Sequence, residues 1–128
     1  DDTSFNVEWD ESVEVPIITL DSLIETYGIP VFCKIDVENF ELEVLLGLSI
    51  AIPALSIEFF KETMDITFSC IERLNTLGDY EYNWSFGESQ KMDSRHWVDG
   101  DTAKGRLSNL SSGKAPSGDL YARLRQDS

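Results

Sequence analysis

Residues Phe32 to Glu41 constrain the fold most tightly: an apolar run, Phe32-Cys33-Lys34-Ile35, leads into Asp36-Val37-Glu38-Asn39 and then directly into a helix-forming segment. A strand that turns straight into a helix is half of a βαβ unit, and in open α/β sheets ligands bind at the carboxyl ends of the strands. Asp36 and Glu38 share strand parity, and where the backbone turns both can reach that mouth. Paired carboxylates there can accept hydrogen bonds from hydroxyl or amino groups, hold a cation, or act as general bases. A structural reading stays open beside these, with Glu38 capping the helix and Asp36 pairing with Lys34 or a turn amide. No glycine-rich phosphate or nucleotide loop precedes this strand.

The flanking pattern extends the alternation. Residues 1–12 read as an acidic arm with Phe5, Val7 and Trp9 alternating as a short strand, and 13–128 as the α/β domain proper. Val13 to Thr19, broken by Pro16, suits an edge strand. Asp21 to Tyr27 reads as a helix capped by Thr19 or Asp21, with Leu20, Leu23, Ile24 and Tyr27 on one face and Gly28 at its end. Ile29 to Val37 is nearly continuous in apolar residues, which predicts a strand buried on both faces. The next helix runs to Leu48, with Phe40, Val44, Leu45 and Leu48 inward and Glu41 and Glu43 outward. Ala54 to Phe60 is a second apolar strand carrying Glu58, which parallel pairing puts at the same sheet edge as Asp36.

Thr63 to Leu77 is helical, with Ile66, Cys70, Leu74 and Leu77 at spacings of three or four and Gly78 as the stop. Asp79 to Phe86 alternates Tyr80, Tyr82, Trp84 and Phe86 with polar residues and reads as a half-buried strand. A polar stretch to Gly118 holds one helical patch near Thr102 to Leu110, and Asp119 to Leu124 closes the chain as a strand antiparallel to its predecessor. Trp84 and Glu88, near the loop after Phe86, are candidates to wall a pocket.

Composition removes several function classes. The 128 residues carry a formal charge of −14, a field that repels phosphate backbones, so no nucleic-acid partner is expected. The charge is uneven: Lys34, Lys61 and Arg73 are the only bases of residues 1–90, and the rest lie in 91–128. No apolar run approaches the roughly 20 residues that span a bilayer, so no membrane role is expected. Cys33 and Cys70 sit among apolar residues, which indicates no disulfide framework and fits a reduced, cytoplasmic setting. His96 stands alone, without the spacing of a metal site, and no metal ligand is assigned. A metal-dependent hydrolase built on Asp36, Glu38 and Glu58 is a weaker alternative.

Val15-Pro16-Ile17-Ile18-Thr19-Leu20-Asp21-Ser22-Leu23, then Lys34-Ile35-Asp36-Val37-Glu38-Asn39-Phe40-Glu41, then Val44-Leu45-Leu46-Gly47-Leu48 resemble the FkbM family of methyltransferases. Glu58, the run Asn83 to Ser89 and the run Gly118 to Arg123 add to the likeness, which covers about residues 13–124. The resemblance implies a partial three-layer, Rossmann-like class I fold with four to five main strands, the last two antiparallel. It implies methyl transfer from S-adenosylmethionine to a hydroxyl of a small molecule or saccharide.

On this matching, Asp36 and Glu38 are the catalytic acids, Asp36 also touches the cofactor, and Glu58, Trp84 and Glu88 bind substrate. The family's usual Gly after the second acid is Asn39, a residue that tolerates left-handed backbone. Because the glycine-rich first half of the family pattern is missing, the chain is expected to be its C-terminal half and inactive alone. The alternative is a noncatalytic interaction module. An apolar strand at 29–37 with an unpaired edge would template a homodimer.

Overall fold

The computed structural model describes residues 4–8, 12–16, 19–87, 89, 91–109 and 116–126. Trp9, Ile17, Ile18, Glu88 and Leu110 lie outside them. In chain order the elements are β1 (Ser4–Glu8), β2 (Ser12–Pro16), α1 (Leu20–Tyr27), β3 (Cys33–Asp36), α2 (Glu41–Leu46), β4 (Ala54–Phe60), a 3-10 turn (Lys61–Thr63), α3 (Met64–Leu77), β5 (Tyr80–Phe86), α4 (Gly100–Ser108) and β6 (Ser117–Leu124). The described strands form one mixed sheet in the order β2-β1-β3-β4-β6-β5. β3 and β4 are parallel and joined through α2, while β6 runs antiparallel between β4 and β5. This is a mixed α/β, partial Rossmann-like arrangement.

Strand alternation gives the sheet two unlike faces. Cys33, Ile35, Leu55, Ile57, Phe59, Tyr80, Tyr82, Trp84, Leu120 and Ala122 point to one of them and join a single core with Leu20, Leu23, Val44, Leu45, Leu48, Cys70, Ile71, Leu74, Ala103 and Leu107 of the helical segments. The other face carries Lys34, Asp36, Ser56, Glu58, Asp119, Tyr121, Asn83 and Ser85. Of the three layers expected, the described residues build the sheet and the helical layer over its apolar face.

Two motif segments prove to be neighbours. Thr19 caps α1 by accepting from the Ser22 N–H at 3.1 Å. Asp21 accepts from the Ser49 N–H at 2.8 Å, and its own N–H donates to the Gly47 carbonyl at 3.1 Å. A Cβ on Gly47 would lie 3.1 Å from the Thr19 Cβ. The Thr-Leu-Asp-Ser-Leu and Val-Leu-Leu-Gly segments therefore clamp α1 to the end of α2. Arg73 of α3 closes the same helix end, donating to the Leu45 carbonyl at 3.2 Å and the Leu48 carbonyl at 2.6 Å, a basic C-terminal cap. These contacts hold the short α2, and with it the turn after β3.

Several expectations are corrected. The strand expected over 29–37 is only Cys33–Asp36, and it alternates buried and exposed instead of burying both faces. Pro30 lacks the N–H that a ladder needs, and Ile29, Val31 and Phe32 are exposed in the preceding loop. Neither edge of β3 is open: β1 pairs with it antiparallel through Asn6↔Asp36, and β4 lies on its other side. The premise for a homodimer through residues 29–37 is thereby removed. Within the acidic arm, Ser4–Glu8 form β1, which pairs with both β2 and β3. Tyr27, expected on the buried face of α1, is exposed.

Phe40 and Glu41 exchange roles: Phe40 is exposed and Glu41 is 3 % exposed. The cause is the turn. Glu38 and Asn39 take φ of +30° and +73°, so the helix starts at Glu41 and its inward face is rotated from the one read by continuing the periodicity.

Candidate functional site

The polar sheet face ends in a row of carboxylates at the carboxyl end of the parallel pair. Ile35 stands level with Ile57, so the next residues, Asp36 of β3 and Glu58 of β4, occupy the next level. Glu58 is directly opposite Asp119 of β6, and Asp119 directly opposite Ser85 of β5. The row thus runs Asp36, Glu58, Asp119, Ser85 across four adjacent strands. Its first three members line a cavity of about 220 Å³, together with Lys34, Ile35, Gly87, Ser89, Ser117 and Gly118.

The electrostatics follow from this crowding. Burial raises the Glu58 carboxyl above its usual range, and the negative charges of Asp36, Asp119, Glu38 and Glu41 add to the rise. The Ser85 Oγ is buried in the same row without a hydrogen-bond partner. Among the described residues no group of three or more His, Cys, Asp or Glu side chains could hold a metal ion. None of the described helices is long and apolar enough to cross a membrane.

The sequence-read candidates divide. Asp36 and Glu58 meet in the cavity. Glu38 is exposed on the turn and outside the cavity lining, and it acts on the site through its charge. Glu88 falls outside the described residues. Trp84 is corrected outright: it is 1 % exposed, points to the apolar face, and donates its indole N–H to Asp93 Oδ2 at 3.2 Å. Asp93 and its neighbours thereby fasten the loop after β5, as does Asn83, whose Oδ1 accepts from the Ser94 N–H at 3.0 Å. Cys33 and Cys70 are free and buried, with burial pushing both thiols up to about 12, so neither is a nucleophile.

Asp119 is the site acid that sequence reading passes over. Its signal was its place next to core residue Leu120, on the opposite face of the strand, as Glu58 stands next to Ile57. Glu41 is the other omission. Its Oε2 is buried without a partner. Burial raises its carboxyl, the Glu41 and Asn39 backbone N–H groups oppose the rise, and Asp36 and Glu38 add to it.

Two predictions arise here. A raised folded-state pKa means the folded chain binds the proton more tightly than the unfolded chain does. The stability linked to Glu41 is therefore full below about pH 4.5 and is lost as pH rises through the raised value. Glu41→Gln, which cannot ionise, is expected to gain thermal stability relative to wild type as pH increases from 4.5 to 8. Parallel melting-temperature profiles would refute this. At the turn, a Cβ residue with left-handed backbone costs about 1 kcal/mol unless it is Asn or Asp. Asn39→Ala is expected to lose about that much in urea denaturation, and also the 3.2 Å bond from Thr63 Oγ1. Asn39→Gly should stay closer to wild type. Equal losses in both variants would place the cost in the hydrogen bond alone.

The methyltransferase FkbM domain matches residues 1–99, and the chain belongs to that family. The match covers the clamp, the Asp36 turn, Glu58 and β5, and ends before β6. No curated protein and no solved structure matches the chain.

Proposed function

We propose that this FkbM-family chain supplies the acceptor side of an S-adenosylmethionine-dependent O-methyltransferase cleft. The observation that supports it is the carboxylate row of Asp36, Glu58 and Asp119 at the carboxyl end of β3 and β4, open to one cavity. Ligands in open α/β sheets bind at that end. A methyl acceptor presents a hydroxyl, and a hydroxyl needs acceptors that orient it and can take its proton. Asp36 and Glu58 offer both. Glu58 is the better suited to take the proton, since burial and its acidic neighbours move its carboxyl toward the working pH.

The cofactor itself does not fit this cavity. The cavity of about 220 Å³ has no aromatic lining residue on which an adenine ring could stack, and the sequence has no Gly-x-Gly turn. Asp36 is therefore given an acceptor-side role, and none of these residues is assigned to hold S-adenosylmethionine. The isolated 128-residue chain is expected to show no heat of binding when titrated with S-adenosylmethionine; micromolar binding would sink this division of labour. In the natural gene product, Asp36→Asn should abolish transfer of a radiolabelled methyl group to acceptors in a cell extract. Unchanged incorporation would remove Asp36 from the chemistry.

A further inference from the structure

The turn after β3 holds two successive residues, neither of them glycine, in left-handed backbone: Glu38 at φ +30° and Asn39 at φ +73°. Such backbone costs energy, persists only where the surroundings fix it, and gathers where function needs a set geometry. Three contacts fix it here. The Phe40 N–H closes the turn on the Val37 carbonyl at 3.2 Å. Thr63 Oγ1, after β4, donates to Asn39 Oδ1 at 3.2 Å, which ties together the turns that follow the two parallel strands. From the core side, the Glu41 carboxylate takes the backbone N–H groups of Asn39 and of Glu41 itself.

For folding alone, Glu41 is a destabilising choice. It is 3 % exposed, in the first turn of a helix whose other buried residues, Val44 and Leu45, are apolar. Its charge reaches the buried Cys70 thiol of α3, and its Oε2 is buried with no partner. A carboxylate so placed costs stability, and an apolar side chain of like length would fill the space without that cost. What an apolar side chain could not do is accept from the turn. Phe40, at the N-cap of α2, supplies no side-chain acceptor in its stead.

We infer that Glu41 is a positioning residue: its buried carboxylate holds the backbone N–H groups of the left-handed turn, and the turn sets Asp36, the last residue of β3, at the edge of the cavity. Glu41 meets no substrate and acts only through the turn. That Asp36 serves methyl transfer rests on the function proposed above; the hold on the turn rests on the turn's own geometry.

The test compares two substitutions. Glu41→Met keeps the length of the side chain and removes both oxygens, whereas Glu41→Gln keeps a carbonyl oxygen that can accept. In the isotope-labelled chain, hydrogen exchange of the Asn39 amide is expected to quicken about tenfold in Glu41→Met and to stay within about twofold of wild type in Glu41→Gln. In the natural gene product, Glu41→Met should lower kcat for methyl transfer at least about tenfold, referred to the folded fraction, with the KM for the acceptor little changed. Glu41→Gln should keep most of the wild-type kcat. Unchanged Asn39 exchange in Glu41→Met, or quickened exchange with kcat unchanged, would overturn the inference. So would a Glu41→Gln enzyme as slow as Glu41→Met, which would assign the effect to the lost charge. Should Glu41→Met not fold, Glu41→Asp, whose shorter side chain draws the carboxylate back from the turn, is read in its place with the same outcomes. A wild-type gene product that transfers no methyl group strikes the proposed function, and Asn39 exchange then decides the hold on the turn by itself.

Discussion

Trp84→Ala is expected to cost about 3–5 kcal/mol of folding stability in urea or thermal denaturation, the range for large-to-small substitutions of buried aromatic residues. Trp84 is among the largest fully buried side chains of the domain. It lies on the apolar face of β5, opposite Leu120 of β6, and within the core that the helices share. Truncation would leave a cavity there and also release the indole bond that fastens Asp93. Domains of this size are held by only about 5–15 kcal/mol in all, so the variant should be partly unfolded at moderate temperature. Trp84→Phe keeps most of the ring and loses the N–H, so a smaller cost is expected. A Trp84→Ala chain as stable as wild type would contradict the core assignment and restore a ligand-facing role.

Gly118→Ala is expected to cost at least about 2–3 kcal/mol, the upper part of the range for forcing extra volume into a packed interior. Gly118 of β6 lies opposite Phe59 of β4 on one side and Phe86 of β5 on the other. The two phenyl rings meet edge to face across it, with centroids 6.0 Å apart and planes at 90°. An added Cβ would fall 2.7 Å from the Phe59 ring and would collide with the Ser85 carbonyl oxygen. A ring can turn aside, but the carbonyl belongs to the neighbouring strand, so β5 and β6 must part. The adjacent residue is Asp119, and the amide resonances of Asp119 and Ser85 should move furthest. Wild-type stability with an unmoved Asp119 would show that the strands yield without cost.

Much of the architecture was written in local pattern. The apolar run Ala54 to Phe60 marked β4, and the spacing of Ile66, Cys70 and Leu74 up to Gly78 marked α3. Both are found where expected, with α3 starting at Met64 after a single 3-10 turn. The antiparallel pairing of the last two strands also holds, although α4 intervenes at Gly100–Ser108. Parallel pairing of the two apolar strands by itself puts Asp36 and Glu58 at one sheet edge. The errors have separate physical origins. Phe40 and Glu41 were assigned by extending a helical period backward through residues whose backbone is left-handed, where the period does not apply. Trp84 was read as a pocket wall because it stands near the loop after Phe86, yet alternation sends it to the opposite face.

What the amino-acid sequence settled by itself was local: where strands and helices form and stop, the acidic character of the chain, and the motifs that match the FkbM family. Those properties depend on neighbours a few residues away. What the tertiary structure alone decided was which acids share a level. Asp119 joins Asp36 and Glu58 because β6 inserts between β4 and β5, a pairing of segments about sixty residues apart whose register has no local signature. A shift of that register by one residue would turn Asp119 into the core and Leu120 out toward the cavity, and burial of Leu120 against Ile57 is what forbids it.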